Sequence, residues 1–253
     1  MPPFKKAMIL AAGLGTRLRP LTNDRPKALV TIAGRTMLEI ALARLRHFGV
    51  NEVIINTHHF AEKISQYLVA NGNFGMRIEL LHEDELLDTG GGLKKAAWFF
   101  LDGKEPEDPG LAPFLLHNVD IISTIDIAGM IEYHQKQNAL ATIAGQDRET
   151  RRYLLFDEQG VLCGRRYGRD GELKLVRPVG SPQALAYSCI QVISPLLFAK
   201  MTERGAFSII DAELEMVARG EKIVSYRADG AYWRDLGTPE SVALAASEAD
   251  SSF

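Results

Sequence analysis

The apolar positions in the first 138 residues follow two patterns in turn. Four short segments are strand-like, and the first of them is continuously apolar, as expected of a strand buried on both faces. They are KAMILAA (6–12), EVIINTH (52–58), MRIELLHE (76–83) and APFLLHNVDI (112–121). Four segments have helical spacing, namely MLEIALARLRHFG (37–49), FAEKISQYLVANG (60–72), GLKKAAWFFL (92–101) and IAGMIEYHQKQN (127–138). This alternation predicts the α/β class, with a three-layer α/β/α sandwich on a mainly parallel sheet.

After residue 138 the chain changes to shorter strand-like segments joined by turns. They are ALATIAG (139–145), YLLFDEQGVLCGRR (153–166), ELKLV (172–176) and AYSCIQVIS (186–194). Helical spacing returns at 209–220 and 239–249, on either side of a strand at 222–228. We predict one domain over 1–249, with an α/β portion at 1–138, a β-rich portion with a closing helix at 139–249, and a tail at 250–253.

Composition excludes several classes of function. The formal charge of −3 at pH 7 provides no basic field for nucleic acid. The two cysteines, Cys163 and Cys189, suit a reducing compartment and are predicted to be packing residues. No apolar run is long enough to span a membrane. We therefore predict a soluble, cytoplasmic protein that binds neither nucleic acid nor membrane; the composition leaves open whether it is a monomer or a dimer.

The loop after the first strand, AAGLGTRLRPLTNDRPKAL (11–29), combines glycines with cationic side chains. No lysine follows Gly15 as a P-loop requires, and Leu18 occupies the third glycine position of the dinucleotide fingerprint. Gly13 and Gly15 would let backbone N–H groups approach phosphate oxygens. Arg17 and Lys27 add a bidentate donor and a mobile charge. The loop is predicted to bind a polyphosphate.

Three further groups of residues are candidates for ligand contacts. The glycines of DTGGGLKK (88–95) could contact a base or a sugar through backbone groups, or form a flexible turn. Asp120 in HNVD ends a buried strand, so its carboxylate could bind a hard cation or cap a turn. Asp235 in WRDLGTPE ends a short strand. If the fold brings Asp235 to Asp120, the two carboxylates and phosphate oxygens form a magnesium site.

The histidines are not predicted to bind metal. His58 and His59 lack the spacing of a zinc site. His117 lies in an apolar strand, which indicates a hydrogen-bonded core residue.

These motifs together resemble those of the sugar-1-phosphate nucleotidyltransferases over nearly the whole chain. LAAGLGTRLRPLT…PKAL is similar to the family's signature loop, HNVD and WRDLGTPE to its two magnesium-aspartate segments, and AYSCIQVISPLLF to its sugar-lining strand. The resemblance implies a Rossmann-like mixed sheet, a nucleotide-binding portion at 1–138 and a sugar-binding portion at 139–249. It also implies an NTP and a sugar 1-phosphate as substrates, with Mg²⁺ as the cofactor.

The resemblance assigns roles to individual residues. Arg17, Lys27 and Asp120 are the expected catalytic residues, and Asp120 and Asp235 the expected magnesium ligands. The expected nucleotide contacts are Ala11, Ala12, Gly13, Leu14, Gly15, Thr16, Arg17, Lys27, Asp84, Thr89 and Gly90. The expected contacts of the sugar phosphate are Gly91, Asn118, Arg177, Ser188 and Cys189. Val176-Arg177-Pro178 stands nearest to the family's Glu-Lys-Pro, and Cys189 replaces its glycine in the sugar-lining strand.

Within the family, the short chain and DTGGG most resemble N-acetylmuramate-1-phosphate uridylyltransferases, which act in cell-wall sugar activation. The expected reaction transfers UMP from UTP to N-acetylmuramate or N-acetylhexosamine 1-phosphate. A similar glycine segment occurs in mannose-1-phosphate guanylyltransferases, so that activity is an alternative. A cytidylyltransferase of a small phosphorylated alcohol and a non-catalytic nucleotide-sugar-binding subunit are further alternatives.

Overall fold

The computed structural model describes residues 4–252, so Phe253 of the predicted tail lies outside the described residues. The strands are β1 (Lys6–Leu10), β2 (Thr31–Ile32), β3 (Arg35–Thr36), β4 (Glu52–Thr57), β5 (Arg77–His82), β6 (Phe114–Asn118), β7 (Ile121–Ser123), β8 (Ala141–Gln146), β9 (Arg152–Phe156), β10 (Leu162–Tyr167), β11 (Leu173–Leu175), β12 (Gln183–Ile193), β13 (Ile223–Arg227) and β14 (Trp233–Asp235). The helices are α1 (Met37–His47), α2 (Ala61–Ala70), α3 (Asp88–Lys95), α4 (Ala97–Leu101), α5 (Ile127–Gln137), α6 (Leu197–Lys200), α7 (Ile209–Ala218) and α8 (Pro239–Ser252).

The described residues form two compact units that interleave along the chain. The first unit contains the residues up to Leu86, the segment Leu116–Ile125 and the residues from Ala231 onward. The second contains Leu87–Leu115 and Asp126–Gly230. This grouping differs from a division at 138/139, since the closing helix α8 belongs with the start of the chain. The single-domain organisation stays a prediction.

The first unit is built on parallel strands. β1 pairs with β4 and β4 pairs with β5, both in parallel, and β6 lies beside β1. Ala7, Met8 and Ile9 of β1 are fully buried, as expected of a strand covered on both faces, and Leu10 at its end is half-buried. The backbone N–H of Val119 donates to the carbonyl of Leu10 over 3.1 Å, so β1 and β6 end at the same edge. Ligands of open α/β sheets bind at this edge.

A short antiparallel pair brings the end of the chain to the same edge. β7 follows Asp120 directly, and β14 pairs with it so that Asp235 is opposite Ile121. The strands are three residues each and lie about a hundred residues apart in sequence, so only the fold could reveal the pairing.

The second unit is mainly antiparallel and centres on β12. β12 pairs antiparallel with β8 and β9, β10 pairs antiparallel with β9 and β11, and β13 runs parallel to β8. The ladder between β12 and β8 is interrupted between Tyr187 and Gln191. The predicted β-rich portion is therefore present.

The α/β class with a mainly parallel sheet is confirmed, and each predicted strand and helix has a counterpart. One boundary is wrong: the helix predicted from Gly92 begins at Asp88, so the three glycines lie inside α3, and the backbone breaks at Ala96 before α4. Within 4–252, no helix has both the length and the apolarity to cross a membrane.

Candidate functional site

The loop after β1 packs around Gly15. Gly15 has φ +62°, a left-handed conformation that favours glycine, and a Cβ there would lie 3.1 Å from the Thr22 methyl and 3.2 Å from the Cβ of Lys27. Thr22 Oγ1 donates to the Gly15 carbonyl over 2.9 Å. Gly13 is different, because a Cβ there would meet nothing within 4 Å. Gly15 therefore shapes the loop, and Gly13 leaves the backbone open to a ligand.

Two buried side chains that the sequence analysis missed anchor the start of this loop. The Ala11 N–H donates to Asn56 Oδ1 over 2.7 Å, and Asn56 Nδ2 donates to Glu83 Oε1 over 2.8 Å. Asn56 and Glu83 are 3% and 1% exposed. They follow the rule that polar residues gather at the carboxyl ends of parallel strands, which could have identified them.

Four charged side chains, Arg17, Lys27, Asp120 and Asp235, form what we call the ion cluster. Lys27 Nζ donates to Asp120 Oδ2, and the two side chains are only 15% and 9% exposed. The Leu236 N–H donates to the Asp120 carbonyl over 2.9 Å, which holds Asp235 next to Asp120. Burial raises the pKa of Asp235, and the charge of Asp120 raises it further, whereas Lys27 and Arg17 oppose this rise.

Gly237 supports the ion cluster, although it was not among the site residues predicted from the sequence. Its N–H donates to Asp235 Oδ1 over 2.7 Å. A Cβ at this position would lie 2.7 Å from the same oxygen and 2.9 Å from Arg17 Nη2. Arg17 and Asp235 therefore both pack over a position where no side chain fits.

The two aspartates suit Mg²⁺. Mg²⁺ uses one or two carboxylates together with substrate phosphates rather than an all-protein cage. Within 4–252, no group of three or more His, Cys, Asp or Glu side chains could hold a metal. The raised pKa of Asp235 beside the charge of Asp120 shows that the carboxylates repel one another, and a divalent cation would relieve that repulsion.

The neighbouring residues of the first unit differ in exposure. Leu14, Thr16 and Asp84 are exposed, whereas Ala12 is buried. Asn118 ends β6, and its carbonyl accepts from Nδ1 of the buried His117 over 2.7 Å. Burial lowers the pKa of His117 to about 4, so His117 is neutral at pH 7. The prediction of a hydrogen-bonded core histidine is confirmed.

In the second unit, the glycines of α3 allow close packing. The N–H groups of Gly90 and Gly91 donate to the Phe207 carbonyl over 2.9 and 3.3 Å, and Thr89 Oγ1 accepts from the Ile209 N–H over 3.0 Å. A Cβ on Gly90 would lie 2.5 Å from the Phe207 ring, and one on Gly91 2.4 Å from the carbonyl oxygen of Gly205. Ligand contacts by Thr89, Gly90 and Gly91 stay a prediction. The structure shows the Thr89 hydroxyl and the N–H groups of both glycines engaged within the unit.

The predicted sugar contacts on β12 lie where its ladder is interrupted. Ser188 is buried and its Oγ donates to Gln146 Oε1 over 3.3 Å. Cys189 has φ +58°, a strained conformation for a residue with a Cβ. A left-handed backbone favours glycine, which is the residue that the family resemblance implies at this position. Cys163 is buried and donates to a carbonyl, as a packing residue would.

Arg177 follows β11, and its side chain bonds to a neighbouring hairpin. Its Nη2 donates to Asp157 Oδ2, and its Nε donates to the Leu162 carbonyl over 3.2 Å. These bonds tie Arg177 to the β9–β10 hairpin, beside a cavity of about 370 Å³. Contact of Arg177 with a sugar phosphate stays a prediction, and it would require Arg177 to leave or share these partners.

The chain is similar to known proteins over most of its length. The sequence profile of a family described as nucleotidyl transferase matches residues 6–155. N-acetylmuramate alpha-1-phosphate uridylyltransferase from Caulobacter vibrioides is 30% identical over 246 residues, covering 94% of this chain and 93% of that protein. Mannose-1-phosphate guanylyltransferase from Mycobacterium tuberculosis is 27% identical over 237 residues, covering 92% of this chain and 61% of that protein. A solved UDP-glucose pyrophosphorylase complexed with UDP-glucose shares the fold, with a TM-score of 0.74 at 18% identity and coverage of 98% and 99%.

Proposed function

Because the chain belongs to the nucleotidyl transferase family of sugar-1-phosphate enzymes, we propose that it transfers UMP from UTP to a sugar 1-phosphate, N-acetylmuramate or N-acetylhexosamine 1-phosphate being favoured. The observation that carries the proposal is the ion cluster, in which two cationic side chains and two carboxylates meet beside an open glycine loop. That arrangement suits an anionic substrate that brings a divalent cation.

The proposed chemistry is an in-line displacement at the α-phosphorus. An oxygen of the sugar phosphate forms a bond to this phosphorus while the bond to the bridging oxygen breaks, and the electron pair leaves on pyrophosphate. The nucleophile is already an anion at neutral pH, so no general base is needed. The neutral, buried His117 agrees with that expectation, since it is not placed to exchange protons with a ligand.

The residues of the first unit would act by position and charge. Backbone N–H groups at Gly13 and Gly15 would donate to phosphate oxygens. Lys27 uses one of its three N–H donors on Asp120, so the same ammonium group could also donate to a phosphate. Arg17, held over Gly237, would place a planar pair of donors on the same phosphates.

Asp120 and Asp235 would hold Mg²⁺, which when bound neutralises charge on the phosphate oxygens during transfer. Each aspartate must be ionised to serve as a ligand. The raised pKa of Asp235 therefore predicts loss of activity on the acidic side of neutrality, at a higher pH than for an ordinary aspartate.

The choice of UTP and an N-acetylated sugar follows from the similarity to the Caulobacter uridylyltransferase, which extends over nearly the full length of both proteins. Asp84 is exposed at the end of β5 and could accept from the N3–H of uracil. Guanine has two adjacent donors that a carboxylate would also bind. With the similarity to the mycobacterial guanylyltransferase, this makes GTP and mannose 1-phosphate the second candidate pair.

The test is pyrophosphate release by purified protein with Mg²⁺, each of four nucleoside triphosphates and a panel of acceptors. The panel contains N-acetylmuramate, N-acetylglucosamine, glucose and mannose 1-phosphates, with choline phosphate as the non-sugar control. We expect the highest kcat/KM with UTP and an N-acetylated sugar. A preference for GTP and mannose 1-phosphate would reassign the substrate, and one for CTP and choline phosphate would reject the sugar. Nucleotide binding without release would contradict transfer.

A further inference from the structure

A buried polar cluster in the second unit lies outside the ion cluster. It consists of Tyr187 and Gln191 on β12 and Glu213 on α7, and we call it the β12–α7 cluster. Gln191 and Glu213 are both 0% exposed. Gln191 Nε2 donates to Tyr187 OH over 3.1 Å and lies 3.4 Å from Glu213 Oε2, which accepts from it. One amide thus connects the two ends of the β12 interruption to helix α7.

Two oxygens of this cluster have no hydrogen-bond partner among the described residues. They are Oε1 of Glu213 and Oε1 of Gln191, and both are buried. Two acceptors cannot satisfy one another, and an ionised carboxylate buried without a cation is costly. A single hydrogen placed on Glu213 would satisfy both atoms.

We propose that Glu213 is protonated in the folded protein and donates from Oε1 to Gln191 Oε1, while Gln191 Nε2 donates back to Glu213 Oε2. A carboxylic acid and an amide each present one donor and one acceptor side by side, so the two groups are complementary. The second N–H of Gln191 remains for Tyr187. Every polar atom of the pair then has a partner.

The electrostatic surroundings agree with a neutral Glu213. Burial raises the pKa of Glu213 to about 8. The titratable groups of β12 near it are Tyr187 and Cys189, and neither provides a positive charge at pH 7. The charged side chains of α3 and β10, which also pack against α7, are Asp88, Lys94, Lys95, Arg165 and Arg166. Lys94 donates to two backbone carbonyls, and Arg165 pairs with Asp211. Lys95 is exposed, and the Arg166 guanidinium lies over the Tyr153 ring.

Glu213 is thereby a positioning residue for β12. The hydrogen bond from Gln191 to Tyr187 spans the interruption of the β12–β8 ladder, where Tyr187 is opposite Gly145 and Gln191 is opposite Ile143. Ser188 and Cys189 lie between them, and contact of these residues with the sugar rests on the proposed function. If Glu213 ionises, its donation to Gln191 is lost and the interruption is held less firmly. We expect the KM for the sugar phosphate to rise above pH 8, with little change in kcat.

The pH dependence of stability tests protonation without any assay of activity. A glutamate of the unfolded chain titrates near 4.5, and the pKa of Glu213 in the folded state is about 8. The folded state therefore holds the extra proton between these values, and stability falls as pH rises from about 4.5 to about 8 and is level above that. The unfolding equilibrium constant should increase about tenfold for each pH unit in this window from Glu213 alone.

The informative variant is Glu213→Gln, which keeps the shape and supplies a permanent N–H donor. Its matched control is Glu215→Gln, an exposed glutamate on the same helix. From pH 5 to pH 8, we expect the free energy of unfolding of Glu213→Gln to rise relative to that of wild type. The pH profile of Glu215→Gln should match that of wild type. Parallel profiles for wild type and Glu213→Gln would overturn the proposal. Carbon-13 NMR of wild type gives an independent check, since a glutamate carboxyl should titrate near pH 8, and its absence would contradict protonation.

Kinetics tests the positioning role. We expect the KM of wild type for the sugar phosphate to rise several-fold between pH 7 and pH 9, and that of Glu213→Gln to stay at the neutral-pH value. Identical KM profiles for the two proteins would reject the positioning role, even if Glu213 proves to be protonated. Absence of turnover with every substrate pair would reject the proposed function instead, and the stability profiles would still decide the protonation of Glu213.

Discussion

The ion cluster and the β12–α7 cluster bury carboxyl groups in opposite ways. In the ion cluster, Asp120 is bonded to the Lys27 ammonium, and Arg17 lies close to Asp235. In the β12–α7 cluster, no cation among residues 4–252 pairs with Glu213, and its Oε2 accepts from the amide of Gln191. Burial raises the pKa of both Asp235 and Glu213, and at Asp235 the charges of Lys27 and Arg17 oppose the rise.

The comparison separates two uses of buried polar groups. Where a ligand carries charge, the protein keeps its own charges and arranges them before the ligand arrives. Where a strand must hold an irregular shape, a neutral pair of hydrogen bonds is sufficient and avoids the cost of a buried ion. Substitutions in the first cluster should therefore affect the reaction rate most, and those in the second should affect stability and its pH dependence.

Replacing Lys27 by alanine should have the largest effect. Loss of one charge at the transition state costs about 3–4 kcal/mol, or roughly a hundredfold to a thousandfold in kcat/KM. The control is Lys63→Ala, which removes a lysine of the same unit whose Nζ donates to the Asp24 carbonyl and lies over the Phe60 ring. Near-normal turnover of Lys27→Ala in the pyrophosphate assay would remove Lys27 from the mechanism.

Replacing Asn56 by leucine should lower stability by about 1–3 kcal/mol, because the Ala11 N–H loses its buried acceptor. Asn56 is an amide beside a buried glutamate, like Gln191, but it anchors the glycine loop that follows β1. The measurement is urea unfolding together with the KM for the nucleotide, which should rise. Asn51→Leu, at an exposed position before β4, is the control. Equal effects of the two changes would argue against the anchoring role of Asn56.

Replacing Gly237 by alanine should raise the free energy of the native ion cluster by about 1–3 kcal/mol, since the new methyl group overlaps Asp235 Oδ1 and approaches Arg17 Nη2. We expect the loss to appear mainly in kcat/KM, because the displaced groups belong to the ion cluster. In Gly230→Ala the added Cβ meets nothing within 4 Å, so this change should leave stability and kcat/KM unchanged. A Gly237→Ala enzyme with wild-type kinetics would show that Arg17 and Asp235 need no such close packing.

Replacing Cys189 by glycine should have the smallest effect, a gain of about 1 kcal/mol in stability, because glycine adopts a positive φ without strain. Thermal unfolding measures this gain. Cys189→Ala retains the Cβ and should show no gain. If alanine stabilises the protein as much as glycine does, the thiol and not the backbone is the source of the strain.

Much of the fold could be predicted because local pattern and burial coincide. The centre of β1, Ala7–Ile9, is apolar and is buried, and α1 stops where Gly49 takes φ +85°. The glycines of α3 were less predictable, because three in succession are typical of a loop. Their place in a helix depends on Phe207 and on Gly205, which approach too closely for a Cβ.

The sequence by itself determined the α/β class, because that class follows from periodicity. The charges of single side chains also predicted a phosphate-binding loop and the roles of Arg17, Lys27, Asp120 and Asp235. Only the tertiary structure decided which of those charges meet and which carboxyl group lacks a counterion within the described part of the chain. Asp235 reaches Asp120 through the pairing of β14 with β7, and Glu213 reaches Gln191 through the packing of α7. Such contacts join residues far apart in the chain, so their energies depend on distances that no local pattern contains.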